Sequence, residues 1–137
     1  MKARAVQKAG PEDLTPGQVT AGMTRKQAFS TERMWSGLLF SPPGVASGWH
    51  HHGEHESTIY VLTGGLRMEF GPGGAEAVHA GPGEFLYVAP GAIHREANPT
   101  GEEAAAVVVR AGTGDVVVNV DGPEPASPGP GDTSGAS

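Results

Sequence analysis

Three histidines, two of them at strand-like spacing, are the residues of this 137-residue chain that best fit a metal site. His50 and His52 lie two apart in an apparent β-strand, so their side chains share one face while His51 points to the other. His94 follows the turn Pro90-Gly91, which can return a third imidazole from a second strand. Neutral imidazole binds Fe, Mn, Ni, Zn, Cu and Co. The spacing therefore predicts one divalent transition metal held by His50, His52 and His94.

A carboxylate beside the histidines would complete a mixed nitrogen and oxygen shell and leave positions open for substrate or water. Glu56, four residues after His52, is the predicted fourth ligand and a candidate catalytic acid or base. The spacing leaves Ser57 and His55 open as alternatives at that position. The histidines outside the predicted ligand set are interpreted as solvated surface groups: His51, His55 and His79.

Polar side chains near the histidines are candidates for contact with a bound molecule. Tyr60 and Arg67 are predicted, with Glu56, to contribute to catalysis. Arg67 can hold a carboxylate through two parallel hydrogen bonds, but the same spacing also serves a cross-strand ion pair with a glutamate. Arg95 and Glu96 are further candidates for anchoring or protonating a substrate.

Composition excludes several other classes of function. The chain has no cysteine, so disulfides and thiolate sites are absent and metal ligands must be nitrogen or oxygen donors. The net charge is −6 and the nine basic residues form no stripe, which argues against nucleic acid as a partner. The longest apolar stretch, 104–109, is too short to span a bilayer, so we expect no membrane segment and a cytoplasmic protein.

Short apolar runs alternate with Gly- and Pro-containing turns from residue 35 onward, which predicts an all-β sandwich or barrel. One short helical turn is expected before Phe29, because Thr24 and Gln27 have the spacing of a weak capping box. Three large aromatic residues are interpreted as core packing: Trp35, Trp49 and Phe85. The predicted strands are 35–40, 45–50, 58–62, 66–70, 85–88, 104–110 and 116–120.

Residue types divide the chain into one folded domain and two flanking segments. We expect an N-terminal arm at 1–30, a β-barrel domain at 31–122 and a disordered Pro/Gly/Ser-rich tail at 123–137. The tail has no large apolar side chain after residue 126, so burial cannot offset the entropy of ordering it.

Two stretches of the chain resemble the two motifs of the cupins, specifically the cupin 2 conserved-barrel type. The first stretch contributes Gly44, His50, His52, Glu56 and Gly64, and the second Gly83, Pro90, Gly91, His94 and Asn98. The resemblance implies an antiparallel double-stranded β-helix, or jelly roll, whose interior holds one divalent metal. It also implies a homodimer, a form common among small cupins, with open sheet edges paired between copies.

The resemblance leaves three functions open. The first is a metalloenzyme on a small organic molecule, with Fe(II)-dependent dioxygenase-type chemistry. The second is a non-catalytic module that binds a small ligand or a metal. The third is a sugar isomerase or epimerase, which would need an acid/base pair facing the cavity, whereas the only lysines precede the barrel: Lys2, Lys8 and Lys26.

Overall fold

A computed structural model describes residues 5–112 and 117–123 of the chain. Short 3₁₀ turns lie at Pro11–Asp13 and Pro72–Gly74. The strands are β1 (Thr15–Pro16), β2 (Thr24–Ser30), β3 (Met34–Ser41), β4 (His50–His51), β5 (Glu56–Thr63), β6 (Leu66–Phe70), β7 (Glu76–Ala80), β8 (Phe85–Val88), β9 (Arg95–Ala97), β10 (Ala104–Ala111) and β11 (Val118–Asn119). The prediction of an all-β fold is confirmed.

The largest layer is an antiparallel sheet of six strands in the order β1-β2-β3-β10-β5-β8. Strand β10 lies at its centre and pairs with β3 over eight residues and with β5 on its other side. Its alternating burial follows from the two-residue period of a strand: Ala104, Ala106, Val108 and Arg110 are buried, and the residues between them are more exposed. Three of these inward side chains are apolar, and the fourth is an arginine.

Apolar side chains from this sheet and from β6 form the core inside the barrel. Its largest fully buried members are Met23, Leu39, Leu66, Val61 and Val108. Several large polar residues are equally buried, among them His50, His94 and Glu96. Because a buried polar group costs free energy unless it finds a partner, these residues mark the part of the interior that is built for something other than packing.

Two smaller layers oppose the large sheet: β11-β4 and β7-β6-β9. The chain before β4 and the chain around β9 run antiparallel and exchange backbone hydrogen bonds. Gly44 N donates to Asn98 O, Ser47 N to Glu96 O, and Asn98 N to Val45 O. The two histidine-bearing stretches are therefore direct neighbours in space.

Several predicted boundaries differ from the structure. Thr24–Gln27 lies in strand β2, because Arg25 and Gln27 pair with β3 instead of forming a helical turn. Of the predicted strand 45–50, only His50 is in a regular strand, since the backbone around Ala46 pairs through an isolated bridge to Ala97. Strands β1, β2, β7 and β9 were not predicted.

The first two strands fall within the segment expected to be a separate arm, and both pair into the large sheet. After Pro123, the expected tail lies outside the described residues. Val116, the first residue of the predicted strand 116–120, also lies outside them. Among the described residues, no helix is long and apolar enough to cross a membrane.

Candidate metal centre

Three histidines converge at one point of the barrel interior. His50 and His94 form an antiparallel bridge, with His50 N donating to His94 O at 3.0 Å and His94 N donating to His50 O at 2.9 Å. Residues paired in this way carry their side chains on one face, side by side. His52 joins them on the same face, as the two-residue spacing predicts, with its ring centroid 5.0 Å from that of His50 and 5.1 Å from that of His94.

The tautomer of two of these rings follows from their backbone contacts. His50 Nδ1 lies 2.9 Å from the Gly48 carbonyl oxygen, and His94 Nδ1 lies 2.8 Å from the Ala92 carbonyl oxygen. A carbonyl only accepts, so each Nδ1 must carry the hydrogen, and in the neutral ring Nε2 then presents a lone pair. This is the arrangement in which a backbone partner fixes the ring of a metal-ligating histidine.

Glu96 supplies the carboxylate of this group. Its Oε1 lies 3.4 Å from His94 Nε2 and 3.8 Å from His50 Nε2, and its side chain is 2% exposed. Strand alternation explains the placement: Glu96 follows His94 by two residues, just as His52 follows His50, so it points to the same side. One ligand atom from each of His50, His52, His94 and Glu96 can be chosen so that all four lie within 4.8 Å of one another.

The other oxygen of Glu96 faces a buried cation. Arg25 Nη2 lies 3.6 Å from Glu96 Oε2, and both side chains are almost fully buried. Burial by itself raises the pKa of Glu96, but the rings of His50 and His94, when protonated, and the charge of Arg25 hold that pKa well below its usual value. Glu96 is therefore a carboxylate at neutral pH.

The donor set fits a divalent transition metal. His50 Nε2 and His94 Nε2 are buried and have no hydrogen-bond partner within the described part of the chain. Such atoms are costly unless something else satisfies them. Ligands bound at about 2.1 Å to one ion can be no more than about 4.2 Å apart, so shifts of a few tenths of an ångström would close the group around an ion. Three imidazoles and a carboxylate are the ligands that such metals accept.

The structure does not bring Glu56 to the histidines, which corrects the predicted fourth position from Glu56 to Glu96. Ser57 and Ile59 point into the barrel, so the alternation of β5 turns Glu56 and Tyr60 outward. Glu56 is exposed and accepts a hydrogen bond of 2.9 Å from Tyr87 Oη.

The remaining catalytic candidates also lie outside the cluster. The ring of Tyr60 packs against that of Phe85, with centroids 4.7 Å apart. Arg67 donates to Glu69 Oε2 at 3.1 Å and contacts His79 Nε2 at 2.8 Å. Arg67 is thus in an ion pair with a glutamate, but the glutamate lies on the same strand, so the cross-strand alternative is wrong. Arg95 likewise pairs with Glu69.

The alternatives weighed for the fourth ligand have other surroundings. Ser57 is buried and accepts a hydrogen bond from Arg110 Nε at 3.2 Å. His55 is buried, so its interpretation as a surface histidine is wrong, and it lies outside the group of four. His51 is half-buried and accepts from Gly53 N, and His79 is exposed as expected.

An apolar cavity of about 300 Å³ ends on His94. Strands β6, β7 and β8 supply its walls: Met68, Phe70, Val78, Phe85, Leu86, Tyr87 and Val88, with Ala89 and Ala92 from the following turn. Phe85 is 71% exposed, so it is not core packing, unlike the buried Trp35. The hydrogen bond to Glu56 raises the pKa of the Tyr87 phenol, which stays protonated at neutral pH.

Comparisons with known proteins address the fold. The family model described as Cupin domain matches residues 38–110, which is more than half of the chain and includes all four residues of the cluster. No curated protein matches the chain.

Several solved structures share the architecture at low sequence identity. A polyketide cyclase, RemF from Streptomyces resistomycificus, has a TM-score of 0.69 at 22% identity, covering 84% of this chain and 85% of that one. An uncharacterized double-stranded β-helix protein from Klebsiella pneumoniae has a TM-score of 0.64 at 19% identity, covering 76% and 89%. Oxalate decarboxylase from Bacillus subtilis has a TM-score of 0.64 at 20% identity, covering 74% of this chain and 28% of that one. At these identities the likeness establishes the double-stranded β-helix and nothing about activity.

Proposed function

The chain belongs to the cupin domain family, and from that premise we propose that it binds one divalent transition metal and acts on a small apolar organic molecule. The observation that carries the proposal is the buried cluster of His50, His52, His94 and Glu96, in which the Nε2 atoms of His50 and His94 have no hydrogen-bond partner among the described residues. Orphaned lone pairs that converge in a dry interior favour a cation.

At such a centre, different residues of the chain would orient the ligands and set the charge. Gly48 O and Ala92 O hold the rings of His50 and His94 so that each Nε2 faces inward. Glu96 adds one negative charge, and Arg25 fixes its orientation from the other side. A redox-active ion such as Fe(II), when bound there, would mediate the transfer of electrons from the organic substrate to oxygen, so that the cleaved substrate takes up both oxygen atoms.

The apolar cavity supports the substrate class. It reaches His94 directly, and at about 300 Å³ it is at the small end of the usual range for ligand sites. Its walls are aliphatic and aromatic, so burial of apolar surface would provide most of the binding free energy. The described lining offers few hydrogen-bonding groups for a polyhydroxylated ligand, which counts against the sugar isomerase or epimerase alternative.

Elemental analysis of tag-free protein, purified without added metal, tests the first half of the proposal. We expect about one transition-metal ion per chain, and its loss in the variant His50→Ala/His52→Ala. His51→Ala is the matched control, because His51 lies between the two ligands in sequence and outside the cluster in space. Equal metal content in all three proteins would contradict a specific site.

Oxygen consumption tests the second half and separates an enzyme from a binding module. The Fe(II)-loaded protein should consume oxygen with a small aromatic or aliphatic substrate, and the double-histidine variant should not. If the loaded protein binds such molecules but consumes no oxygen with any of them, the non-catalytic alternative is the better account.

A further inference from the structure

Two arginines lie inside the barrel, where a guanidinium group is rarely found without full compensation. Arg25 on β2 is 3% exposed and Arg110 on β10 is 2% exposed. Among the described residues, the only buried carboxylate is Glu96. The described interior therefore holds two positive charges and one negative charge, and a divalent metal at the histidine cluster would increase that excess. Burying an uncompensated charge is strongly destabilising.

The contacts of Arg25 use only part of its guanidinium group. Nη1 donates to Thr20 Oγ1 at 3.1 Å and to Gln18 O at 3.4 Å, and Nη2 faces Glu96 at 3.6 Å. Its Nε is buried and has no hydrogen-bond acceptor in the described part of the chain. A buried donor without an acceptor is uncommon in native proteins and calls for a partner.

The charge of Arg110 is compensated less well than that of Arg25. Within the described residues its hydrogen bonding is limited to Nε, which donates to Ser57 Oγ at 3.2 Å, while its guanidinium carbon lies 5.5 Å from the centroid of Trp35. Burial, followed by the charge of Arg25, lowers the pKa of Arg110 to about 10. The guanidinium group of Arg110 is still cationic at neutral pH, so its burial is unfavourable for the stability of the fold.

Both arginines line one cavity of about 350 Å³, and residues 16–18 of the N-terminal segment form part of its wall. The other walls are Pro16, Gly17, Gln18, Gln27, Ser30 and Trp35. This cavity shares no lining residue with the apolar cavity that ends on His94. The barrel thus offers two separate spaces of opposite character, one apolar and one cationic.

We propose that the cationic cavity is a second binding site, for a small oxyanion held by the guanidinium groups of Arg25 and Arg110. A carboxylate or an inorganic oxyanion matches the fork of donors on a guanidinium group, and it would neutralise the excess charge of the interior. The site adjoins the metal centre through Glu96, whose two oxygens face the histidines and Arg25 respectively. It needs no metal to form, so it is independent of the proposed function.

Calorimetric titration of the chelator-treated full-length chain, in a buffer without oxyanions, tests the proposal. Acetate and inorganic phosphate are the probes, and acetamide is the uncharged counterpart of acetate. We expect saturable binding of at least one anion and none of acetamide. Binding of acetate alone would assign the site to carboxylates, and binding of phosphate alone would assign it to inorganic oxyanions.

Variants locate the bound anion. Arg110→Gln should weaken binding by roughly tenfold to a hundredfold, since it removes hydrogen bonds to a charged group. Arg33→Gln, which removes the same charge from an exposed position, should leave the affinity unchanged. Equal affinity in wild type and Arg110→Gln, or anion binding that appears only after metal is added, would overturn the proposal.

A second measurement leaves both arginines in place, in case Arg110→Gln does not fold. The chain has two tryptophans, and only Trp35 lines this cavity. In Trp49→Phe the tryptophan emission therefore reports on Trp35 alone. We expect acetate or phosphate to change that emission saturably, with the dissociation constant found by calorimetry. No change at concentrations that saturate the calorimetric signal, or no saturable signal in either method, would contradict an anion in the cavity.

Discussion

At the scale of single residues, two carboxylates lie near the histidines in the sequence, but only one of them occupies the fourth position of the cluster. Glu96 lies beside His50 and His94, and Glu56 points outward to Tyr87. Glu96→Gln keeps the shape but loses the charge, so it should weaken binding of Zn²⁺ or Co²⁺ at least tenfold, whereas Glu56→Gln should leave it within about twofold. Competition with a chromophoric chelator measures both. If Glu56→Gln lost as much affinity as Glu96→Gln, the placement of the carboxylate would be wrong.

His50 and His52 could be predicted because their spacing depends only on the two-residue period of a strand, and His94 because it follows the turn Pro90-Gly91 in the second motif. The same rule, applied to His94, places Glu96 on the ligand face, so the signal was present in the sequence. It was missed because Glu56 also follows a histidine at a suitable distance, and the turn between His52 and Glu56 decides which face Glu56 takes. Arg25 and Arg110 gave no such signal, since charged residues are rarely fully buried.

At the scale of elements, two turn glycines of the first cupin motif give a matched pair. Gly44 and Gly64 both have positive φ, 73° and 66°. A Cβ at Gly44 would meet nothing within 4 Å, but a Cβ at Gly64 would lie 2.7 Å from the Cα of Ala104. Gly44→Ala should therefore cost only the left-handed backbone, about 1 kcal/mol, and Gly64→Ala distinctly more. Chemical denaturation gives both free energies of unfolding, and equal losses would show that the clash is relieved by a small backbone shift.

A charged network joins β6 to β9, the strand that carries Glu96. Glu69 Oε1 accepts from Arg95 Nε at 2.7 Å, and Glu69 Oε2 accepts from Arg67 Nε at 3.1 Å. The hydrogen bonds from Arg95 and Arg67 lower the pKa of Glu69 from its ordinary value of 4.5. Because the folded-state pKa is lowered, the stabilisation is present above pH 4.5 and is lost as the pH falls through the lower folded-state value.

Glu69→Gln should consequently lower the free energy of unfolding at neutral pH by up to about 1 kcal/mol, the usual size for solvent-screened pairs. The difference from wild type should shrink in acid. Glu103→Gln, at an exposed position outside this network, is the control. Urea denaturation at several pH values provides the comparison, and a difference that stays constant with pH would exclude the ionised network as its cause.

The strands that could be predicted are those whose own residues form a clear apolar pattern. The predicted run 85–88 is strand β8 itself, and the runs at 66–70 and 104–110 match β6 and β10 closely, because short apolar or alternating runs between turn residues mark them. Thr24 and Gln27 have capping-box spacing, which predicts a helical turn. Pairing with β3 overrides this local preference, so the segment forms strand β2. Strand β9 has three residues, and its existence depends on pairing with β6, which local sequence does not encode.

At the scale of the whole molecule, the cluster joins two neighbouring stretches of the barrel whose regular strands are short. His50 lies in the two-residue strand β4, His52 in the turn after it, and Glu96 in the three-residue strand β9. An ion bound by all of them would link these short elements in the folded state and would have no comparable site in the unfolded chain. Binding would then add to stability by mass action, about 4 kcal/mol at a free concentration of a thousand dissociation constants.

Thermal unfolding with and without a chelator tests this coupling. For a chain of 137 residues, removal of the ion should lower Tm by roughly 10 °C. The variant His50→Ala/His52→Ala should begin near the Tm of the chelated wild type and respond little to the chelator, since it has no ion to lose. Returning Zn²⁺ should restore the Tm of the wild type only. A chelator that lowers Tm equally in both proteins would act elsewhere, and the cluster would then contribute to the barrel through the ion pair of Glu96 with Arg25 alone.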